Sequence, residues 1–275
     1  MRIDSHQHFW EYKPVRDAWI TEDMSVIQRD FMPKDLHPLL LVNDFDGCVA
    51  VQADQSVRET KFLLELAQQY PFIKAVVGWV DLLAEDLAGH LEKNMTNQSF
   101  KGVRHILQTE PDGFMTSPKF IKGLKVIHDH NLTYDILTSE VQLGEVVKLI
   151  ETLPDMRLVI DHISKPNIEE QSFTEWAKYM EMISRHENVH VKLSGLATEA
   201  NWETWQVKDF QPYIDFCLEK FGPDRLMYGS DWPVCLLAGD YHTILGAIAE
   251  NLHQLSEAEQ AQIFGKTAQN FYQIK

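Results

Sequence analysis

The chain has 275 residues, a length typical of one closed (β/α)8 barrel of roughly 250 residues. Its 44% hydrophobic and 24% charged residues are ordinary for a globular protein and exclude a disordered or fibrous one. The formal charge of −16 would repel a phosphate backbone, so nucleic acid is not an expected partner.

Short apolar runs rich in β-branched residues recur about every 32 residues, the spacing of a strand, a helix and two loops. Eight of these runs are predicted strands: Arg2–Ser5, Gly47–Gln52, Lys74–Val80, Gly102–Ile106, Leu132–Leu137, Arg157–Ile160, Val189–Leu193 and Leu226–Tyr228. Amphipathic helical patterns lie between them at residues 62–70, 141–153, 173–183, 210–221 and 241–255. A capping box formed by Ser256 and Glu259 opens a last predicted helix.

This alternation of strand and helix predicts one (β/α)8 TIM barrel domain over residues 1–275. An open doubly wound sheet is disfavoured, because it usually has fewer strands and no GxGxxG turn follows the first strand here. Two long irregular stretches, Phe9–Pro38 and Leu196–Gln211, follow the first and seventh strands and are predicted to form lids.

The first strand ends in the sequence Asp4-Ser5-His6-Gln7-His8. Because side chains alternate across a strand, we expect Asp4, His6 and His8 to share one face. Strand C-termini form the mouth of a barrel, where functional groups gather. Two imidazoles held together there could chelate a divalent ion or hold an oxyanion.

Polar side chains also end the sixth and eighth strands. The sixth strand is followed by His162 and, three residues later, by Lys165. The eighth is followed by Gly229, which permits close approach of backbone, and by Asp231. A carboxylate at this position could take a proton from an attacking water and return it to the leaving oxygen, so Asp231 is the predicted general base.

The fourth and seventh strands each carry a cation near the same rim. Arg104 and His105 are neighbours and face opposite ways, and Arg104 is chosen for the mouth because a guanidinium suits carbonyl and carboxylate oxygens. Lys192 is predicted to face the barrel interior, where it needs a carboxylate partner. Asp4 and Asp135 are both candidates for that partner.

Tryptophans follow several of the same strands. Trp10, Trp202, Trp205 and Trp232 are possible platforms for the apolar face of a sugar ring, and Trp10 and Trp232 are the predicted substrate contacts. The cysteines are not predicted to form a metal site or a disulfide. The three cysteines form no CxxC pair and are predicted to be buried free thiols.

The N-terminus has no signal-peptide pattern and the chain has no apolar run long enough to span a membrane. These features predict a cytoplasmic protein with no membrane partner.

Five motifs in this order resemble those of the amidohydrolase 2 family. They begin at Asp4, Lys101, Asp161, Leu193 and Tyr228, and read DSHQHFW, KGVR, DHISKP, LSG and YGSDWP. Within the family the chain is similar to the group of L-fuconolactonases, L-rhamnonolactonases and pyrone-dicarboxylate lactonases. The resemblance implies a hydrolase that opens the ring of a sugar-acid lactone with water. The charge of −16, with only Arg104 and Lys165 placed as cations at the mouth, favours a neutral lactone over a dicarboxylated one.

The resemblance also implies roles for single residues. His6, His8, His162 and Asp231 would form the inner catalytic site, while Arg104 and Lys165 would hold substrate oxygens. Binuclear relatives add a histidine from the fifth strand, which is absent here, so two metals are not expected. The site would hold either one divalent ion on His6, His8 and Asp231, with Zn²⁺ preferred, or none.

Two other functions stay open at this point. A metal-dependent non-oxidative decarboxylase of the same family would share the histidine pair and the aspartate of the eighth strand, and a barrel without catalysis would only bind a sugar acid. The expected partner is a small-molecule lactone, and the expected assembly is a monomer or a small homo-oligomer.

Overall fold

A computed structural model describes the chain from Met1 to Lys275. Eight parallel strands lie side by side in sequence order in one sheet. Their bounds are β1 Ile3–Gln7, β2 Gly47–Val51, β3 Ile73–Gly78, β4 Phe100–Ile106, β5 Thr133–Leu137, β6 Leu158–Ile160, β7 Val189–Leu193 and β8 Leu226–Tyr228. All eight predicted strands are confirmed, and the sheet curls into the predicted (β/α)8 barrel with a helix after each strand.

The helices cover the outside of the barrel. Their bounds are α1 Pro33–Val42, α2 Val57–Gln69, α3 Leu87–Met95, α4 Pro118–Asp129, α5 Leu143–Thr152, α6 Thr174–Ser184, α7 Val207–Phe221, α8 Tyr241–Asn251, α9 Glu257–Ala261 and α10 Thr267–Phe271. Ser256 caps α9 through the predicted capping box. None of the helices combines the length and hydrophobicity needed to cross a membrane.

Both irregular stretches are shorter than predicted. The stretch after β1 ends at Met32, because Pro33 occupies the first turn of α1 and the Asp35 carboxylate accepts a hydrogen bond from the Met32 amide at 2.9 Å. The stretch after β7 ends at Gln206, whose amide donates to Asp209 at 2.7 Å and so opens α7. The helices α1, α3 and α4 were not predicted from the sequence.

The barrel interior is apolar near its base. A separate buried cluster fills it, contributed by inward side chains of the strands and by the C-terminal residues that close the bottom: Ile3, Val49, Val51, Ala75, Val77, Val159, Met227, Ala268, Phe271 and Tyr272. The larger hydrophobic cluster packs the strands against the helices. This packing fixes the strands and thereby the positions of the groups at their C-termini.

A β-bulge in β1 changes the facing of its polar residues. The register with β2 shifts between Asp4 and Gln7, so Ile3 faces the interior, Asp4 faces outward, and His6 faces the interior again. The prediction that Asp4 shares a face with His6 and His8 is therefore wrong. The extra residue of a bulge breaks the simple alternation from which that prediction was made.

The outward-facing Asp4 carboxylate connects the first strand to the residues that follow the last strand. β1 and β8 meet through the single bridge Gln7–Trp232 rather than through a ladder. At this seam Asp4 accepts hydrogen bonds from the amide of Ser230 at 2.8 Å, from its hydroxyl at 2.6 Å and from the Tyr241 hydroxyl at 3.1 Å. The carboxylate thus supplies side-chain hydrogen bonds where ladder bonds are missing. The three cysteines are buried and free, as predicted.

Candidate active site

Left-handed backbone at two strand ends turns functional side chains into the mouth. The residues from His162 to Lys165 all have positive φ values, between 46° and 60°, and Asp231 has a φ of 56°. Such a conformation costs energy for a residue other than glycine and is concentrated at functional sites. Because of this turn, Asp161 and His162 both face the site, although strand alternation would separate them.

Three donor atoms converge at the centre of the mouth. His6 Nε2 and His8 Nε2 lie 3.3 Å apart, and Asp231 Oδ1 lies 3.3 Å from His8 Nε2 and 3.9 Å from His6 Nε2. All three residues are buried. Gly229 permits this approach, since a Cβ there would come within 2.6 Å of His6 Cβ.

This group is able to hold a divalent metal ion. Four-coordinate zinc with Zn–N bonds of about 2.05 Å has ligand atoms about 3.4 Å apart, close to the observed spacings. His8 Nδ1 lies 2.7 Å from the Val51 carbonyl oxygen, which can only accept, so Nδ1 carries a hydrogen and Nε2 is the nitrogen placed to bind a metal. Burial lowers the pKa of His6 well below its ordinary value, so the His6 imidazole is neutral at pH 7.

The chemistry of Asp231 follows from its neighbours. Burial by itself raises the pKa of this carboxyl, but His162, His8 and His6 outweigh burial and hold the pKa below its ordinary value of 3.8. Asp231 is therefore a carboxylate at neutral pH. It can accept a proton, or coordinate a cation together with His6 and His8.

His162 is held in place from behind. Its Nδ1 lies 2.8 Å from the Ser194 hydroxyl, and its Nε2 lies 3.9 Å from Asp231 Oδ1. Gly195, with a φ of 68°, leaves room for the ring, because a Cβ at this position would come within 2.7 Å of His162 Nδ1. Burial lowers the pKa of His162 to about 4, so the ring is neutral at pH 7.

A buried charge network lies below the histidines. Asp161 is 3.0 Å from Arg104 Nη1, 3.0 Å from Lys192 Nζ and 3.3 Å from His6 Nδ1. Lys192 also donates to Asp135 at 2.6 Å, and Tyr272 donates to the same carboxylate at 2.8 Å. Two cations thus face two carboxylates, which lets all four charges stay buried.

Asp161 was missed by the sequence analysis. It was quoted in a motif, but only His162 and Lys165 of that motif were assigned a role. Burial raises the pKa of Asp161, but Lys192, His6 and Arg104 outweigh burial and hold the pKa well below its usual range. Lys192 faces inward as predicted, and its partners are Asp135 and Asp161, whereas Asp4 lies on the other side of β1.

A cavity of about 550 Å³ opens above the site. Its wall contains three basic and three acidic side chains, together with apolar and amide groups: Arg16, Arg104, Lys165, Asp54, Glu199, Asp231, His8, His162, Gln55, Gln108, Thr109, Thr198, Ala53, Ile106, Leu137, Trp19, Met24, Trp202, Val234 and Leu237. Arg104 lines the cavity, while His105 turns away to Glu110 at 2.7 Å. Lys165 lies on the wall as well, 3.1 Å from Glu199.

The two tryptophans predicted to contact substrate do not line this cavity. Trp10 and Trp232 are each 2% exposed. Trp10 packs against His8 and donates to the Arg29 carbonyl at 2.9 Å, while Trp232 packs against Phe31 with ring centroids 5.2 Å apart. Both are packed beneath the mouth, so the prediction that they contact substrate is wrong. The bulk of an indole favours burial wherever a core is large enough to accept it.

The motifs and the geometry agree with a comparison to known families. A family model described as amidohydrolase matches residues 3–274 of the chain. This chain belongs to the amidohydrolase 2 family.

Individual members of the amidohydrolase 2 family are similar to the chain over its whole length. An L-fucono-1,5-lactonase of Burkholderia multivorans is 38% identical over 288 residues, covering 100% of this chain and 96% of that protein. A second L-fucono-1,5-lactonase, from Burkholderia ambifaria, is 35% identical over 278 residues, covering 99% of this chain and 96% of the relative. A crystal structure of an amidohydrolase from B. multivorans with bound zinc superposes with a TM-score of 0.98 at 37% identity, and each chain is covered completely.

Proposed function

We propose that this amidohydrolase hydrolyses the ring ester of a neutral sugar-acid lactone, such as L-fucono-1,5-lactone or an L-rhamnonolactone. The observation that carries the proposal is the position of the Asp231 carboxylate. It is ionised, lies 3.3 Å from His8, and borders a cavity whose basic and acidic residues are equal in number. The full-length likeness to two L-fucono-1,5-lactonases supports the substrate class.

The residues of the mouth divide the reaction between them. Asp231 accepts the proton of the water that attacks the lactone carbonyl, and returns it to the ring oxygen as the ester bond breaks. The product is an open-chain hydroxy acid. His162 lies 3.9 Å from Asp231, beyond hydrogen-bond length, so we assign it a contact with the attacking water or the substrate rather than with Asp231.

We assign His6, His8 and Asp231 as the residues that would hold a divalent ion, with Zn²⁺ preferred. When bound, such an ion supplies Lewis-acid polarisation of the lactone carbonyl. Arg104 Nη1 lies 3.3 Å from His6 Nε2 and so places positive charge next to the same position. The Arg104 guanidinium would stabilise the negative charge that develops on the carbonyl oxygen during attack.

The charges of the cavity favour a neutral substrate over an acid. Each of its three basic side chains already has a carboxylate partner: Arg104 has Asp161, Lys165 has Glu199, and Arg16 has Asp17. A decarboxylase substrate would bring a carboxylate to cations whose charge these partners already neutralise. A neutral lactone needs only hydrogen bonds, and its anionic product is repelled by the chain's charge of −16.

We further propose that residues 1–275 act as one catalytic domain with a small-molecule substrate, without a nucleic-acid partner, and as a monomer or a small homo-oligomer. The continuous barrel, which begins in β1 and is closed at its base by the C-terminal Phe271 and Tyr272, supports one domain. The acidic charge of the chain supports the absence of a nucleic-acid partner.

A panel of substrates tests the proposal. Hydrolysis of L-fucono-1,5-lactone, L-rhamnonolactone and 2-pyrone-4,6-dicarboxylate is followed with a pH indicator, because ring opening releases a proton, and the Asp231→Asn variant provides the background rate. We expect a higher kcat/KM for the two neutral lactones. A clear preference for the dicarboxylate would overturn the charge argument, and carbon dioxide release from an aromatic acid without lactone hydrolysis would establish the decarboxylase alternative.

A further inference from the structure

One wall of the cavity comes from the segment between β1 and α1, which lies in the first of the two stretches predicted to form lids. This segment contributes Arg16, Trp19 and Met24 to the wall. Arg16 and Trp19 lie in a tight turn over residues 14–19, three positions apart. The same turn therefore presents a cationic hydrogen-bond donor and a large aromatic ring to whatever occupies the cavity.

The Arg16 guanidinium is held firmly on one side. Its Nε donates to Asp17 Oδ1 at 2.7 Å, and its Nη2 donates to Asp17 Oδ2 at 2.8 Å and to the Glu11 carbonyl at 2.7 Å. Asp17 is itself fixed, being 5% exposed and accepting a hydrogen bond from the Lys13 amide at 2.7 Å. The Nη1 group makes no hydrogen bond to the protein, so a preoriented guanidinium keeps one terminal nitrogen for a ligand.

Arg104, the other guanidinium of the cavity, is arranged differently. Its Nη1 already donates to Asp161 and its Nη2 to the Gln52 carbonyl, and its side chain is 3% exposed, against 25% for Arg16. Arg104 therefore contributes charge to the floor of the site. The Arg104 nitrogen without a partner, Nε, is buried, so Arg16 is the guanidinium with an exposed donor for substrate oxygens on the wall.

Trp19 is the large aromatic side chain left uncovered on the same wall. It is 43% exposed, whereas Trp10, which it meets edge to face at 5.9 Å, is buried. An exposed indole on the wall of a concave site is suited to stack on the C–H face of a saturated ring. Trp10 in turn packs against His8, with ring centroids 6.4 Å apart, so Trp10 connects the turn to the catalytic residues.

We propose that Arg16 and Trp19 form the specificity element of the enzyme: Arg16 Nη1 donates to ring hydroxyls of the lactone while Trp19 covers its apolar face. This inference rests on the proposed lactonase function. It assigns recognition of a polyhydroxylated six-membered lactone to the loop after β1, and leaves ring opening to the groups at the strand ends.

A pair of lactones separates recognition from folding. L-Fucono-1,5-lactone carries ring hydroxyls, and δ-valerolactone has the same ring without them. We expect Arg16→Gln to raise KM for the hydroxylated lactone roughly 10-fold or more while kcat stays within about threefold, the usual result of losing a charge-assisted hydrogen bond made equally in ground and transition states. The kcat/KM for δ-valerolactone, or its inhibition constant if its turnover is slow, should be unchanged.

The other variants should change KM by different amounts. Arg16→Lys should lie between wild type and Arg16→Gln, because one ammonium cannot serve both Asp17 and the ligand in the way a planar fork does. Trp19→Ala should raise KM for both lactones, and Trp19→Phe should recover much of that loss. Val15→Ala is the matched control, since Val15 lies in the same turn, is 93% exposed and does not line the cavity.

The outcomes distinguish two failures. Absence of lactone hydrolysis by the wild-type protein overturns the proposed function and this inference with it. If the wild type is a lactonase but Arg16→Gln lowers kcat/KM equally for both lactones, the residue only orders the loop, and the inference alone is wrong. Unchanged KM values in Arg16→Gln and Trp19→Ala would overturn it as well.

Discussion

The two halves of the barrel interior are lined by different chemistry. β2 and β3 line it with Val49, Val51, Ala75 and Val77, all fully buried. Residues on or directly after the strands from β4 to β7 add buried charged side chains: Arg104, Asp135, Asp161 and Lys192. Both sets of residues are at most 3% exposed, so the difference is one of energetics rather than exposure.

The two halves contribute differently to the stability of the fold. Apolar burial stabilises a protein by about 25 cal/mol per Å², whereas a buried ion pair at best offsets the cost of removing its charges from water. The charged half is tolerated because its two cations face two carboxylates at 2.6 to 3.0 Å. Its residues Asp161 and Lys192 contact His6 Nδ1 at 3.3 and 3.1 Å.

Asp231→Asn should have the largest effect on activity. The amide keeps the size of the carboxylate but cannot accept the proton of the attacking water, so we expect kcat to fall by at least about 100-fold. The fold should remain intact, with an unchanged melting temperature within a few degrees. Asp54→Asn, another acid of the cavity wall, serves as the control and should keep most of the activity. Near-normal turnover by Asp231→Asn would refute its assignment as the base.

Lys192→Met tests the charged half directly. Removing this cation leaves Asp135 and Asp161 short of a partner in the barrel interior, which should lower the free energy of unfolding by about 3–5 kcal/mol. Urea unfolding measures the loss. The double variant with Asp135→Asn should recover part of it, because one of the stranded charges is then removed. If the single variant is as stable as wild type, the buried charges are not mutually dependent.

Glu59 is a buried acid that, unlike Asp135 and Asp161, has no buried cation beside it, and it should make the stability of the fold depend on pH. Glu59, at the start of α2, is 3% exposed, and burial raises the pKa of its carboxyl from 4.5 to about 7. The folded chain thus holds a proton that the unfolded chain releases between pH 4.5 and 7. The stability contributed by this group is fully present below that interval and is lost as the pH rises through it, by up to about 3 kcal/mol.

Glu59→Gln should remove this loss. Measured by urea unfolding, the variant should gain stability relative to wild type as the pH is raised from 5 to 8. Glu65→Gln, an exposed acid of the same helix, is the matched control and should show no such trend. A constant difference between Glu59→Gln and wild type across this range would mean that Glu59 is ionised in both states.

Val77→Ala probes the apolar half. Loss of two buried methyl groups should lower the free energy of unfolding by about 2 kcal/mol and leave kcat near the wild-type value at temperatures where the variant is folded. Urea unfolding and steady-state kinetics check both parts. A large fall in kcat with little loss of stability would show that this half also positions the site.

The smallest change is expected on offering a second equivalent of zinc. A second set of donors exists in His6, Asp161 and His162, but Asp161 is already paired with Lys192 and Arg104. A further ion would have to displace those cations, so we expect at most one tightly bound divalent ion per chain by metal analysis. Two equivalents of zinc would contradict this expectation.

Much of the fold could be predicted because it depends on periodic patterns. The eight strands were found within two residues of their observed ends, since a parallel barrel strand is a short apolar run between turns. Helices α1, α3 and α4 were missed. Helix α1 begins inside a stretch interpreted as a loop and contains Pro38, which weakened its helical pattern.

The candidate site was predictable where strand ends supply one polar residue each. His6, His8 and Asp231 lie together in the structure. His162 lies next to Asp231, and Arg104 lies next to His6. The missed contributors carry weak sequence signals. Arg16 and Trp19 lie in an irregular loop, and no periodic pattern shows which loop residues will face a cavity.

The sequence by itself therefore determined the barrel, its family and the strand ends that carry chemistry, because these follow from local pattern and spacing. Only the tertiary structure decided which way the critical side chains face. The bulge in β1 turns Asp4 outward to the β1–β8 seam, and the left-handed turn after Asp161 brings both Asp161 and His162 into the mouth. The physical reason is that alternation predicts facing only for regular strands, while bulges and positive φ angles are stabilised by hydrogen bonds and close contacts from distant parts of the chain.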